Sequence, residues 1–214
     1  MKKVFFFAFV ALSLSVMAQQ HVKPLTVTIP EVKLDSLRTL YSAEPAMYRA
    51  SLDVLAKDLF KSGEALRAAK ADLREETAHA KEIDNTLKEA TKTIASLKSL
   101  YQKEDIELKS MQKTIEQQQR TVATKSNLSK ENKDNFNQAL DKHQKDIGYA
   151  IREVAERQRS LADFETIVQN AQTSHQNFWA EINQKTTDIA NMEAQLKERI
   201  GIVKAEQKTA KSMQ

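Results

Sequence analysis

Glu76 and His79 have the Glu-x-x-His spacing that supplies ligands to di-iron sites in helical bundles. Such a site needs two of these motifs, together with two further carboxylates that face inward from other helices. This sequence contains the motif once. We therefore predict no metal site and no cofactor.

The other residues of catalytic type do not form a catalytic pattern. His143 and His175 recur in step with apolar residues, where an imidazole is packed or hydrogen-bonded; a pH-responsive loosening is the alternative interpretation. Glu75 and Glu76 lie in a long charged stretch with no pattern that would form a cleft. The 3 glycines are isolated, which excludes a phosphate-binding loop. The sequence therefore predicts a protein that is not an enzyme.

The composition favours long helices. The 214 residues include 29% charged residues, only 3 Gly and 3 Pro, and all the prolines precede residue 46. No strong helix breaker follows Pro45. The absence of cysteine excludes disulfides and thiolate metal sites. The net charge of +4 is small and lysines are mixed with glutamates, so we predict no nucleic-acid partner.

The N-terminus has the three parts of a secretory signal peptide, over residues 1–18. Lys2 and Lys3 form a basic start, an apolar run follows, and Val16 and Ala18 occupy the −3 and −1 positions of a cleavage site. The apolar run is too short to span a bilayer. We expect cleavage after Ala18, no transmembrane span in the mature chain, and a periplasmic or secreted location. The alternative is an uncleaved membrane anchor.

Residues 19–44 form a separate region. Residues 25–29 alternate in polarity and are mostly β-branched, so they predict an extended segment. This segment either packs on the open end of the helical hairpin inferred below or adds a strand to a partner's sheet. Pro30 and Glu31 suit the first turn of a short helix. We expect that helix to end at Glu44, because a residue before proline avoids helical angles.

A heptad repeat runs from Leu52 to Val122, and we call this line of repeat positions a seam. Counted in steps of three and four, the seam is apolar except at Ser62, Glu76, Glu104 and Gln118. About ten continuous heptads predict a coiled-coil helix over residues 45–124.

A second seam begins at Phe136. The polar residues 125–132 between the seams predict a loop, with Ser126 or Ser129 as the N-cap of a second helix over 133–212. Two seams of similar length joined by a short loop predict an all-α fold. This fold is a long antiparallel two-helix coiled-coil hairpin with a short N-terminal helix and an extended leader.

Antiparallel pairing brings polar seam residues of the two helices together. The predicted neighbours are Glu76 with Lys185, Glu104 with Arg157, Gln118 with His143, and Ser62 with Arg199. In each charged pair an acid meets a base. We expect these pairs to determine the register more than the stability.

Apolar residues also lie beside the second seam. They include Ile151, Ile167, Trp179 and Ile200. A two-helix hairpin leaves such residues partly exposed, and large exposed apolar areas mark contacts with other proteins. We therefore predict protein partners and self-association, with Trp179 as the leading contact residue.

The sequence thus predicts an exported coiled-coil protein of the cell envelope with a structural, scaffolding or interaction role. In architecture it resembles the helical tentacles of the Skp/OmpH periplasmic chaperones, which implies a holdase as one alternative. No motif is shared, and only residues 25–29 could contribute to the β-rich body of that family. A further alternative is an adaptor hairpin of an envelope transport assembly, although both flanks are too short for the lipoyl and barrel domains of such adaptors.

Overall fold

The computed structural model describes residues 21–212, so the predicted signal peptide lies outside the described residues. The described chain contains three α-helices and no strand. The helices are α1 (Leu34–Ala43), α2 (Pro45–Thr124) and α3 (Lys130–Ser212). The long helices α2 and α3 pack against each other, which confirms the predicted all-α hairpin with a short N-terminal helix.

The described chain divides into two compact units. The loop unit comprises residues 85–173, which include the connection between α2 and α3. The leader unit comprises residues 21–84 and 174–212, which include α1 and the non-helical residues 21–33. We call residues 21–33 the leader.

A proline marks the boundary between α1 and α2. Glu44 is the single non-helical residue between Ala43 and Pro45. Proline lacks an amide hydrogen, which costs nothing in a first helical turn. The next turn closes when the amide of Tyr48 donates to the carbonyl of Glu44 at 3.1 Å. The predicted break at Glu44 is present.

The start of α1 was predicted too early. Its first residue is Leu34, whereas the sequence predicted a first turn at Pro30. The carbonyls of Ile29 and Pro30 each accept a hydrogen bond of 2.6 Å from Arg199 Nη1. These bonds hold the backbone extended through Pro30, so the helix begins only after Lys33.

The loop between the long helices is shorter than predicted. Ser129 Oγ accepts a hydrogen bond of 3.3 Å from the amide of Asn132, and its carbonyl accepts one of 3.1 Å from Lys133. This is the geometry of an N-cap, so Ser129 is the cap and Ser126 is not. Because Ser129 caps the helix, α3 begins at Lys130, three residues before the predicted start.

The seams form the core of each unit. In the leader unit, buried seam residues include Leu52, Leu59, Leu66, Ile182, Ile189, Leu196 and Val203. In the loop unit they include Leu87, Ile94, Tyr101, Val154, Leu161, Phe164 and Val168. Most follow at intervals of seven residues, as the heptads predicted. Full burial of one leucine contributes about 1.5–3 kcal/mol, so the sum over these seams holds the helices together.

Toward the loop, one of the two heptad positions of the α2 seam moves by one residue, whereas the other stays buried at Ile115. Met111 is 54% exposed and Gln118 is exposed, although both occupy the predicted seam. Their neighbours Gln112 and Gln119 are half-buried instead. Two turns of a straight helix take slightly more than seven residues. The residues that face a fixed partner therefore shift to higher numbers along the helix, as from Met111 to Gln112.

The start of α3 turns in the same sense. Phe136 and His143 were predicted on the seam but are exposed, whereas Asn137 and Gln144 are half-buried. Amide side chains therefore take one seam position of each helix here, beside the buried Ile115 and Leu140, and the large Phe136 ring is left 54% exposed.

Candidate interaction surfaces

The leader unit contains a polar cluster around Glu76. Lys185 Nζ donates hydrogen bonds of 3.0 and 2.8 Å to the two carboxylate oxygens of Glu76. Both side chains are shielded from water, with 5% of Lys185 and 11% of Glu76 exposed. Glu76 Oε1 also accepts a hydrogen bond of 2.9 Å from the main-chain amide of Lys23. The structure therefore brings this predicted pair together and adds the leader to it.

The first residues of the leader meet further acidic groups. Lys23 Nζ donates to Asp72 Oδ1 at 2.9 Å, and the amide of Val22 donates to Glu181 Oε2 at 3.1 Å. The hydrogen bond with Asp72, followed by the charge of that carboxylate, raises the pKa of Lys23 above its ordinary value. This end of the leader unit therefore favours a cationic side chain.

Ser62 and Arg199 were predicted as neighbours in the seams, but both hydrogen-bond to the leader. Ser62 Oγ donates to the carbonyl of Thr28 at 2.8 Å. Arg199 Nη1 donates to the carbonyls of Ile29 and Pro30. A seam position normally faces the other helix, so the sequence did not indicate that a third segment would use these side chains.

The spacing of these anchors shows that the leader is extended. From Val22 to Pro30 is eight residues, whereas their partners Glu181 and Arg199 are eighteen residues apart on α3. Eight extended residues span about 26 Å at about 3.3 Å each. Eighteen helical residues span about 27 Å at 1.5 Å each. The leader thus runs parallel to α3 at full extension.

The side chains of the leader alternate between the helices and water. Leu25, Val27 and Ile29 are half-buried and pack against the core of the leader unit, whereas Thr26 and Thr28 are exposed. Alternation is the property of an extended backbone, in which successive side chains point to opposite sides. The alternating polarity of residues 25–29 therefore places the apolar side chains against the helices and the threonines in water.

In the loop unit, Glu104 and Arg157 form the predicted ion pair, but it is loose. Arg157 Nη1 lies 3.6 Å from Glu104 Oε2, and both side chains are more than a third exposed. Arg157 also hydrogen-bonds to Glu153 on its own helix, and this bond is the main cause of its raised pKa. Glu104 Oε2 is buried without a hydrogen-bond partner. The ion pair therefore compensates the charge of Glu104 only partly and leaves its buried oxygen without a hydrogen bond.

The predicted contact between Gln118 and His143 is not made. Both side chains are exposed because their seam position has moved by one residue at this level. Gln119 takes the place of Gln118, and its Nε2 donates to Asp141 Oδ1 at 2.9 Å and to Gln144 Oε1 at 3.3 Å.

Trp179 is half-buried and has a polar partner within the leader unit. Its Nε1 lies 3.0 Å from Nε2 of His175, and that same nitrogen lies 2.8 Å from Asp84 Oδ1. The ring also packs against the cluster of Ala80, Phe178 and Ile182. The other predicted contact residues are half-buried as well, namely Ile151, Ile167 and Ile200. Each of these residues therefore keeps part of its surface exposed, as the sequence predicted for apolar residues beside the seam.

Other apolar side chains are far more exposed. They are Met47, Val54, Phe60, Leu100, Ile106, Met111, Phe136 and Tyr149. The sequence placed Phe60 and Ile106 off the seam but put Met111 and Phe136 on it. Tyr149 could have been identified from the sequence, because it is a large apolar residue off the heptad positions. It lies two residues after the seam residue Ile147.

Residues of catalytic or ligating type are dispersed on the described helices. Among residues 21–212, no group of three His, Asp or Glu side chains is placed to hold a metal ion. His79 Nδ1 lies 3.6 Å from Glu82. Its motif partner Glu76 accepts hydrogen bonds from Lys185 instead. None of the helices in this range combines the length and hydropathy needed to cross a bilayer.

No protein-family model, curated protein or solved structure matches this chain.

Proposed function

We propose that this chain is an exported, non-catalytic coiled-coil protein that binds other proteins of the cell envelope through its helix surfaces. Three large exposed side chains carry the proposal, because Phe60, Ile106 and Tyr149 are 62%, 67% and 65% exposed. Removing such a side chain from water contributes about 1.5–3 kcal/mol to association. Aromatic side chains are also enriched among the residues that dominate binding energy at interfaces.

Photo-crosslinking in the cell tests the binding role. A crosslinking amino acid is placed at Phe60, Ile106 or Tyr149, with matched controls at the exposed neighbours Lys61 and Glu107. We expect adducts of defined mass from the apolar positions, with the captured proteins identified by mass spectrometry. Equal labelling at the control positions would contradict the proposal.

Self-association is the second part of this proposal. Light scattering is expected to give a mass above one chain, and Phe60→Glu is expected to lower it. Phe60 is a cleaner target than Trp179, because the Trp179 ring packs against the cluster of Ala80, Phe178 and Ile182 within the chain. If light scattering gave the mass of one chain for the unaltered protein, self-association would be refuted and only binding to other proteins would remain proposed.

Export rests on residues 1–18 and has its own test. Cell fractionation is expected to recover the chain outside the cytoplasm, and N-terminal sequencing is expected to start at Gln19. A full-length chain in the cytosolic fraction would overturn this part of the proposal.

A holdase chaperone is the alternative function, supported by the way the leader unit holds an extended apolar segment. A holdase is expected to suppress aggregation of an unfolded outer-membrane protein in a salt-sensitive manner. A scaffold is expected to leave that aggregation unchanged.

A further inference from the structure

We infer that the surface holding the leader is a binding site for an extended segment of another polypeptide with apolar residues at alternate positions. The leader is then an internal occupant that such a segment displaces. We call this surface the leader site and define it by Ser62, Glu76, Glu181 and Arg199. The inference names a partner class for the proposed function and rests on it.

The leader site binds main-chain atoms. Glu181 and Glu76 accept hydrogen bonds from two successive leader amides, at 3.1 and 2.9 Å. Ser62 and Arg199 donate to three successive leader carbonyls, at 2.8, 2.6 and 2.6 Å. Every polypeptide offers the same amides and carbonyls, as in recognition of an added strand at a sheet edge. The polar part of the site therefore accepts any extended segment that reaches all four side chains.

The apolar part of the site sets the sequence pattern. Leu25, Val27 and Ile29 contact the leader-unit core while the threonines between them face water. A second segment needs apolar side chains at the same alternate positions to gain this burial. The carboxylate of Asp72 accepts a hydrogen bond from Lys23, which further favours a basic residue two positions before the one that takes the place of Leu25.

Part of the leader's docking surface is open to solvent. The hydrogen bonds to Val22 and Lys23 are exposed to solvent, and the leader side chains are only half-buried. Four of the five main-chain hydrogen bonds involve a charged side chain, and such a bond contributes about 1.5–3 kcal/mol net. A tethered segment competes at an effective concentration in roughly the millimolar range. A free segment must therefore overcome that local concentration. A chain whose leader docks more weakly is expected to bind free segments more tightly.

A labelled peptide tests this on the full chain. The probe is a fluorescein-labelled copy of residues 21–33, and its binding is followed by fluorescence anisotropy. Val27→Asp weakens the leader of the protein but leaves the leader site intact. We expect it to bind the probe about tenfold more tightly than the unaltered chain, which corresponds to about 1.4 kcal/mol of lost leader docking.

The matched control is Thr26→Asp, which adds the same charge on the exposed side of the leader and is expected to leave probe binding unchanged. Adding Arg199→Met to Val27→Asp is expected to weaken probe binding at least about fivefold, since two carbonyl contacts are lost. Equal binding by the Val27→Asp and Thr26→Asp chains, or binding indifferent to Arg199→Met, would overturn the inference. Circular dichroism monitors folding, and Leu25→Asp replaces Val27→Asp if helicity falls.

Two further outcomes separate the alternatives. If the unaltered chain forms a dimer that the free probe dissociates, the occupant is the leader of a second copy and the inference is overturned. If crosslinks from Phe60 persist while no variant binds the probe, the inference fails and the proposed function stands. If the probe binds but no crosslinked partner is found in the cell, the proposed function fails, and the inference that rests on it fails as well.

Discussion

Lys185 Nζ lies 2.8 and 3.0 Å from the two carboxylate oxygens of Glu76, and only 5% of the lysine side chain is exposed. Burial removes water from both charges, and their mutual attraction offsets that cost. The pair is therefore important chiefly because either charge alone would be buried without a partner. It also fixes a carboxylate where the amide of Lys23 can donate to it.

Lys185→Met is expected to lower the free energy of unfolding by about 3 kcal/mol, because Glu76 then remains buried and unpaired. Urea unfolding followed by circular dichroism measures the change. The exposed Lys204 provides the control, and Lys204→Met is expected to change stability by less than about 0.5 kcal/mol. Combining Lys185→Met with Glu76→Met is expected to recover most of the loss. A double variant as unstable as the single one would refute this account of the pair.

Leu59→Ala is expected to cost about 2–5 kcal/mol of unfolding free energy, because this side chain is only 1% exposed in the core. Phe60→Ala removes a larger side chain from the adjacent position, yet it is expected to cost less than about 0.5 kcal/mol, because Phe60 is 62% exposed. The midpoints of urea unfolding distinguish the two variants. Similar losses for both would mean that the seam is misplaced at this point.

Glu104→Leu is expected to raise the free energy of unfolding by about 1 kcal/mol. The change replaces a buried carboxylate oxygen that lacks a hydrogen bond with an apolar side chain at a seam position. Arg157 keeps its hydrogen bond to Glu153. Glu107→Leu, at an exposed neighbouring position, is the control and is expected to be nearly neutral. Destabilisation by Glu104→Leu would show that its ion pair with Arg157 is stabilising.

The contact between Lys23 and Asp72 predicts a pH dependence of leader docking. Because docking raises the pKa of Lys23, the contribution is fully present below its ordinary value of 10.5 and is lost as the pH rises through the raised value. Trp179 is the only tryptophan, and it packs against the same cluster as Val22 of the leader. Its emission is therefore expected to change above pH 10.5.

Lys23→Met is the control for that titration. Every titratable group other than Lys23 is present in both proteins, so the effect of those groups on Trp179 emission is common to the two curves. The difference between the curves isolates the lysine. Superimposable curves would show that Lys23 does not contribute to docking.

Much of the fold could be predicted because its causes are local. The heptads, the break before Pro45 and the cap at Ser129 each depend on residues within a few turns of one another. The antiparallel arrangement then placed Glu76 with Lys185 and Glu104 with Arg157, because a hairpin of known loop position leaves little freedom in register.

The site was less predictable because its contacts join distant residues. Arg199 and Ile29 are 170 positions apart, and nothing near Arg199 indicates that its guanidinium binds a leader carbonyl. Likewise, the burial of Trp179 depends on how its ring meets His175 and the cluster around Ala80.

The sequence by itself determined the two long helices, the place of the turn between them and most of the seam positions, because hydrophobic periodicity and capping act through neighbouring residues. Only the tertiary structure decided where the leader lies and which polar seam residues hold it. It also decided which apolar side chains remain in water. These features depend on which backbone and side-chain groups satisfy each other after the helices have packed, and that cannot be read from any one segment.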